Sequence, residues 1–412
     1  MEDFERDRLG LYISVPFCRS KCTYCNFASG VYPASEHARY VDRQTQDMAA
    51  AGAWAERMRV DLPRQVDTIY LGGGTPSLLA PELIARLFAA MRTQFAVEPD
   101  AEITVECAPG QIADATLEAL VQAGVNRVSM GVQSFIDREA QVSGRLHSRT
   151  VVLDDLQRLR RAGIANLNID LIAGLAGQTF ASWQESLSVL IDAGVPHASI
   201  YMLEVDEDSR LGREMLAGGM RYHAELVPSD DTIARMYETA IERLDAAGLR
   251  QYEISNFAQR GHASRHNLRY WQRRPYLGLG LDASSALYAA ELAATSGPRY
   301  VLRSTTTDDL TAFLGGPEPV ETAWLSPERQ HEEAWFLGLR LNAGVRPAAL
   351  RREFGREPVA RALKVVAGLA EAGLVTSDGR TIRLTAQGRL LSNDVFQQFL
   401  ETASEESVLV AG

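Results

Sequence analysis

Six short runs rich in aliphatic and β-branched residues recur between residue 11 and about residue 205: LYISVPF, VDTIYLG, AEITVEC, NRVSMGV, NLNIDLI and HASIYMLEV. Between most of them lie longer stretches with apolar residues at helical spacing, such as PELIARLFAAMRTQF and TLEALVQAG. Short extended runs alternating with amphipathic helices predict repeated βα units and a parallel sheet with helices outside. Parallel strands bury both faces, which accounts for runs that read as nearly continuously apolar. Gly124, Gly163 and Gly194 fall at the ends of helical patterns, where a left-handed cap takes glycine without strain. Six such units predict an α/β fold: a partial (β/α)6 barrel, open on one side, with its chemistry at the C-terminal ends of the strands.

The pattern then changes. Residues 206–250, with PSDDTIARMYETAIERLDAAG, read as the final barrel helix, so the barrel is expected over 1–250. Residues 251–320 hold QYEISNFAQRGHASRHNLRYW, and a Gly-, Pro-, Ser- and Thr-rich break near 295–325 is expected as a linker. From 321 to 412 come the helical patterns PERQHEEAWFLGLRLNAG, PAALRREFG and PVARALKVVAGLAEAGL, then LVTSDGRTIRLT with Asp378–Gly379 as a hairpin turn. This order predicts a small, mainly helical, winged-helix-like C-terminal domain. The final ESVLVAG is expected to fray.

Composition narrows the function classes. The 412 residues suffice for one large and one smaller domain, and 46% hydrophobic with 23% charged residues is ordinary for a globular chain. A net charge of −11 argues against a nucleic-acid binder that works through its bulk field. Counting residues 326–412 gives 11 Lys and Arg against 11 Asp and Glu, so the winged-helix-like tail has no cationic excess for phosphates. A cluster-sensing DNA regulator is disfavoured on the same count. The opening MEDFERDR lacks the apolar core of a signal peptide, and no run of 18 apolar residues is present. The chain is expected to be cytoplasmic and not inserted in a membrane.

Chemistry concentrates in FCRSKCTYCNF, residues 17–27, where Cys18, Cys22 and Cys25 stand at CxxxCxxC spacing; Cys107 is the remaining cysteine. Three thiolates on one loop suit three irons of a 4Fe–4S cubane and leave the fourth iron open. A zinc site and a disulfide pair are the alternatives. Zinc would need a fourth Cys or His nearby, and His37 lies beyond an aromatic and proline turn. After the second run comes GGGTPS (72–77), and polar residues mark the ends of the next three: Glu106, Gln133 and Asp170, with Arg145 following the fourth run. Convergent polar groups at that end of a barrel point to a ligand site.

These motifs, YISVPFCRSKCTYCNF, GGGTPS, GVQSF and DLIAGLAGQT, resemble the radical S-adenosylmethionine (SAM) superfamily, in its oxygen-independent coproporphyrinogen III dehydrogenase-like family. The resemblance implies that Cys18, Cys22 and Cys25 ligate a 4Fe–4S cluster whose open iron chelates SAM. It places Tyr12 and Tyr24 beside the cluster and its SAM, Gly73 and Glu106 at the methionine and ribose end, and Gly74, Thr75, Gln133, Arg145 and Asp170 at the contacts of a second SAM. Arg suits a carboxylate and Asp a ribose hydroxyl.

Phe27 occupies the position of the dehydrogenase's fourth cysteine, and Cys18 comes early in the chain, which is similar instead to the heme-chaperone branch, HemW. RHNLRYW matches that branch's HNxxYW signature and implies a heme site at His266, Asn267, Tyr270 and Trp271. There His266 would be an axial ligand, and Arg265 and Arg269 partners for propionates. GLGLDASSAL resembles the family's GAHS turn, with Ser284 in place of the histidine. The implied partners are heme, heme-accepting proteins and an electron donor for the cluster. The alternative is an enzyme that cleaves SAM to a 5′-deoxyadenosyl radical and acts on a porphyrinogen by oxidative decarboxylation, or a related methyltransferase.

Overall fold

The structure, a computed structural model, describes residues 8–204, 206–290, 299–316 and 321–400; the ESVLVAG end lies outside these. Its centre is a twelve-stranded sheet. The strands are β1 (Arg8–Val15), β2 (Gln65–Gly73), β3 (Ala96–Cys107), β4 (Arg127–Gln133), β5 (Asn166–Ala173), β6 (His197–Met202), β7 (Arg250–Gln251), β8 (Asn256–Ala258), β9 (Tyr276–Leu279), β10 (Ser284–Tyr288), β11 (Val301–Thr305) and β12 (Glu321–Leu325). Their order is β12-β11-β10-β9-β1-β2-β3-β4-β5-β6-β8-β7. β1 to β6 run parallel and in sequence, each return made through a helix, as the βα pattern predicts. β9 adds parallel to β1 at one end, and β8 adds antiparallel to β6 at the other. Among the described residues no pairing joins the two ends, and the partial barrel is open there.

Two expectations need correction. The break near 295–325 carries regular structure among its described residues: β11 and β12 pair antiparallel beside β10 and widen the sheet past β9, and a short helix, Leu310–Gly315, lies between them. The strands, moreover, are not apolar on both faces. Alternate residues divide cleanly. Leu9, Leu11, Ile13 and Val15 of β1, Ile103 and Val105 of β3, Val128, Met130 and Val132 of β4, and Leu167, Ile169 and Leu171 of β5 all belong to the buried core under the helices. The intervening residues are Tyr12 and Ser14, Glu102, Thr104 and Glu106, Arg127 and Ser129, and Asn168 and Asp170. Period-two geometry puts these on the opposite, inner face. The lumen is therefore polar, which suits a ligand site and not a packed barrel core.

One element floors this lumen. The helix Arg265–Trp271 is capped by the Ser264 side chain, which accepts from Asn267 N, and by the Glu102 carboxylate of β3. That carboxylate accepts from the Arg265 and His266 amides, both at 3.0 Å. A carboxylate over free amide donors at a helix start is worth roughly 1 kcal/mol. The C-terminal part has its own core around Trp335, Leu339, Val359, Val366, Ile382 and Phe399. Its two-stranded hairpin, β13 (Val375–Ser377) with β14 (Ile382–Leu384), turns through Asp378 and Gly379, the latter at φ 82°.

Candidate functional site

The cysteine loop leaves β1 at its C-terminal end and is seated from three sides. Phe17, almost wholly buried, stacks on His37 at 3.9 Å and packs edge-on against Tyr32 and Tyr40. Cys18 N donates to Gly30 O at 2.9 Å, which closes the loop on itself. Thr23 N donates to Ser143 O at 3.1 Å and Leu211 N to Thr23 O at 2.8 Å; Arg210 donates to the Lys21 carbonyl. The third support is the turn after β2, where Thr75 N donates to Phe17 O at 2.7 Å. That turn must run against β1: a Cβ on Gly74 would lie 2.7 Å from Val15 O and 2.9 Å from Phe17 N and O. Glycine is needed there for a close backbone approach.

The three loop cysteines are half-buried and free, which sets aside a disulfide. Burial raises the Cys18 thiol above its ordinary value, and its neighbours Cys25 and Cys22 act in the same direction. No three His, Cys, Asp or Glu among the described residues are grouped to hold a single metal ion. A zinc site takes three or four protein ligands converging on one point, whereas a cubane is held at separate irons by separate thiolates. The donor set fits the cluster. Cys107 is different: it sits in the core, and burial pushes its thiol up to about 12.

Small residues on the strands make room for large polar ones. A Cβ on Gly72 would meet the Glu106 carboxyl at 3.0 Å, and one on Gly131 would meet the Arg145 guanidinium at 2.6 Å and Gln133 Nε2 at 3.0 Å. Gly131 also pairs with Asp170 across β4 and β5. Gln133 stands at φ 70°, at the end of β4, where the register with β5 slips. A left-handed glutamine costs about 1–2 kcal/mol, and such strain concentrates at ligand sites. Thus Glu106, Gln133, Arg145 and Asp170 are brought together above the lumen. Gly73, at φ 94°, opens toward Ser14 Oγ and Tyr12 Oη. Thr75 Oγ1 lies 3.9 Å from Cys18 Sγ.

The same region holds buried polar atoms without partners. Tyr24 Oη and Arg145 Nε have none among the described residues. Desolvation opposes the Arg145 charge, but Tyr24, Cys22 and Asp170 nearby more than offset it. Burial raises the Glu106 carboxyl to about 7, although the Tyr70 hydroxyl donates to it at 2.8 Å. Asp170 is also raised by burial, against hydrogen bonds from Asn168 at 2.7 Å and Ser129 at 3.3 Å. Carboxylates that are costly to ionise when alone, beside unpartnered donors, suit a zwitterionic or cationic ligand such as SAM.

At the other end of the lumen the HNxxYW stretch departs from expectation. His266 is 1% exposed. Its Nδ1 meets Thr68 Oγ1 at 2.9 Å, its Nε2 meets Tyr270 Oη at 2.8 Å, and its ring stacks on Tyr70. Both nitrogens are engaged within the protein, and His266 packs into the floor of the lumen. Arg269 is likewise engaged within the protein. Its side chain is wholly buried, ion-paired with Asp67 and bound to the Arg8 and Pro275 carbonyls, and burial lowers it to about 10. Arg265 is taken by the Asp100 carbonyl at 2.7 Å. Asn267 N is the donor to the Ser264 cap, Ser284 Oγ pairs with Thr305 Oγ1 on β11, and Trp271 and Tyr270 border a cavity at the foot of the sheet.

Sequence reading by strand ends missed the inner-face residues Thr68, Tyr70, Ser129, Asn168 and Ser199. Asn168 Nδ2 donates to Ser129 Oγ at 2.7 Å and Ser199 Oγ at 3.1 Å, which ties three strands together. The signal was the polar residue at every second position inside each apolar run.

Comparison with known proteins agrees with this architecture. Residues 12–190 match the radical SAM superfamily, and residues 325–391 match the HemN C-terminal domain. "Heme chaperone HemW" of Bacillus subtilis is 34% identical over 94% of this chain and 98% of its own length. The bovine "Radical S-adenosyl methionine domain-containing protein 1, mitochondrial" is 30% identical over 97% and 88%. The solved structure of coproporphyrinogen III oxidase (HemN) from Escherichia coli superposes with a TM-score of 0.79 at 22% identity, covering 95% of this chain and 90% of that one. The chain belongs to the radical SAM superfamily, in the family of the HemW heme chaperones.

Proposed function

We propose that the protein is a heme-binding chaperone that passes heme to acceptor proteins and carries a 4Fe–4S cluster with bound SAM. The observation that carries this reading is likeness over nearly the full chain to several relatives named heme chaperones, at 31–34% identity. Phe27 in place of a fourth cysteine supports it. So does the closeness of Glu106, Gln133, Arg145 and Asp170 to one another at the ends of the strands.

Cys18, Cys22 and Cys25 would hold the cluster, which supplies one-electron reducing chemistry to SAM when both are bound. Glu106 and Gly73 would take the amino-acid and ribose end of SAM, Arg145 would pair with a carboxylate and Asp170 with hydroxyls. Tyr12 and Tyr24 would flank the cluster and its SAM, and Gly74, Thr75, Gln133, Arg145 and Asp170 would contact a second SAM. No helix among the described residues is long and apolar enough to cross a membrane. Action in the cytoplasm, with an electron donor for the cluster, follows from this reading.

The second reading, an enzyme acting on a porphyrinogen, is favoured by the intact SAM residues. Anaerobic reconstitution followed by hemin titration, with and without SAM, separates the two when run beside a porphyrinogen assay. Saturable hemin binding without sustained formation of 5′-deoxyadenosine is the expected result. Sustained turnover, or no saturable hemin binding, overturns the chaperone reading.

A further inference from the structure

One row of the sheet's inner face is left unsatisfied. Register sets Thr104 of β3 beside Arg127 of β4, and Arg127 beside Asn166 of β5. Strand parity turns all three toward the lumen, with Glu106, Ser129 and Asn168 forming the next row above. Thr104 is 0% exposed and Arg127 1%. Thr104 Oγ1, Arg127 Nε and Asn166 Oδ1 are each buried and have no partner among the described residues. No hydrogen bond or ion pair among those residues meets the rest of the Arg127 guanidinium either. Buried polar atoms are almost always paired, so three unpaired ones at adjacent register positions mark one place that something else completes.

Arg269, the other arginine buried this completely among the described residues, shows how the fold treats a structural cation: Asp67 pairs with it and two carbonyls accept from it. Around Arg127 the carboxylates are taken. Glu102 accepts from the Arg265 and His266 amides, Glu106 from the Tyr70 hydroxyl, and Asp170 from Asn168 and Ser129. The other groups that feel its charge, His197, Tyr252 and His266, are satisfied as well. His197 Nδ1 meets Asn168 Oδ1 at 2.6 Å and its Nε2 meets Tyr252 Oη at 3.0 Å, while His266 lies between Thr68 and Tyr270. A buried cation that its own chain leaves unmet is costly, and an anion offsets that cost. The space is shallow. The bonded row above stands two residues, roughly 6.6 Å, further along the strands, and Glu102, two residues before Thr104, holds the floor helix below.

We propose that the Thr104–Arg127–Asn166 row binds a small free carboxylate anion, of the size of formate or acetate. A planar carboxylate matches the guanidinium fork with two parallel hydrogen bonds. Thr104 Oγ1 adds a hydroxyl donor one strand away, about 4.8 Å across the sheet. Asn166 Oδ1 is an acceptor on the other side, so an acid with a hydroxyl next to its carboxyl, such as glycolate, gains a further bond there. Asn166 is half-buried, which puts solvent access at that end of the row. None of the three residues is among those assigned to the cluster or to SAM, so this site stands or falls apart from the heme reading.

The test follows thermal melting of the full chain at constant ionic strength while chloride is exchanged for formate, acetate or glycolate, with acetamide as the neutral isostere. The carboxylates are expected to raise the melting temperature saturably, glycolate with a severalfold lower half-saturation than acetate, and acetamide to have no effect. Arg127→Met removes the cation and keeps the packing. It should melt in chloride at or above the parent, because an unmet buried charge is gone, and should lose the carboxylate response. Thr104→Val should weaken acetate severalfold, and Asn166→Ala should erase the preference for glycolate. A rise that does not saturate, an equal rise with acetamide, or a carboxylate response kept by Arg127→Met overturns the proposal and leaves only water in the row. An Arg127→Met chain that melts lower or fails to fold also overturns it, by making Arg127 a structural cation.

Discussion

At the scale of single residues, the inner face of the sheet is where charge is held at a cost. Glu106 ionises near pH 7 in the folded chain against an ordinary 4.5, because burial penalises its charged form. Between those values the folded state keeps a proton that the unfolded state has released. Its contribution to stability is therefore complete below about pH 4.5 and is lost as pH rises through 7, on the order of 3 kcal/mol in all. Urea unfolding of the cluster-free protein between pH 5 and 8 is expected to show this decline, and Glu106→Gln to flatten it. An unchanged slope in the variant would assign the effect elsewhere.

His266 makes an opposite kind of prediction. It is neutral, its protonation pushed well below the usual range by burial and by Arg269. His266→Ala strands the hydroxyls of Thr68 and Tyr270 and leaves a void, so roughly 2–4 kcal/mol of stability should go. The Soret maximum of hemin bound to the variant is expected to stay put. A shifted maximum would make the histidine an iron ligand after all.

At the scale of elements, the cysteine loop has almost no secondary structure of its own and takes its shape from what it leans on. The turn after β2, the 143–144 corner and the Arg210–Leu216 helix each contribute a backbone contact to it. Gly144 brings a Cβ position within 3.1 Å of Cys22 Cα, and Gly74 is tighter still against β1. Gly74→Ala is expected to displace the loop and cut iron and sulfide incorporation severalfold, with far-ultraviolet circular dichroism unchanged because the strands are intact. Full cluster loading in that variant would mean that the turn does not set the loop.

At the scale of the whole molecule, the C-terminal domain is joined to the barrel through a buried charge. Glu253, with no exposed side-chain surface, accepts from Arg340 Nε at 2.9 Å, and its backbone bridges to Leu341. Glu253 also binds Asn256, which accepts from Ser199 Oγ at 2.9 Å, and Ser199 in turn reaches Asn168 beside Asp170. Arg340→Met leaves a carboxylate buried without its cation, a change worth about 3–5 kcal/mol. Calorimetry should then resolve the C-terminal domain melting ahead of the barrel. A single transition at the parental temperature would show that the two parts are held by packing alone.

The sequence by itself determined the order of βα units, the three-thiolate loop, the polar residues at successive strand ends and the helical tail with its hairpin. Each of these is a local matter of periodicity, spacing or turn chemistry, read within a few residues. Only the tertiary structure decided which way the strands face, that β11 and β12 extend the sheet where a linker was expected, and that the histidine of HNxxYW turns inward while its tryptophan borders a cavity. Those outcomes depend on neighbours far apart in the chain: Thr68 is 198 residues from His266, and Asp67 is 202 from Arg269. No local pattern carries that information, because burial and pairing are properties of the assembled sheet and of the helix that floors it.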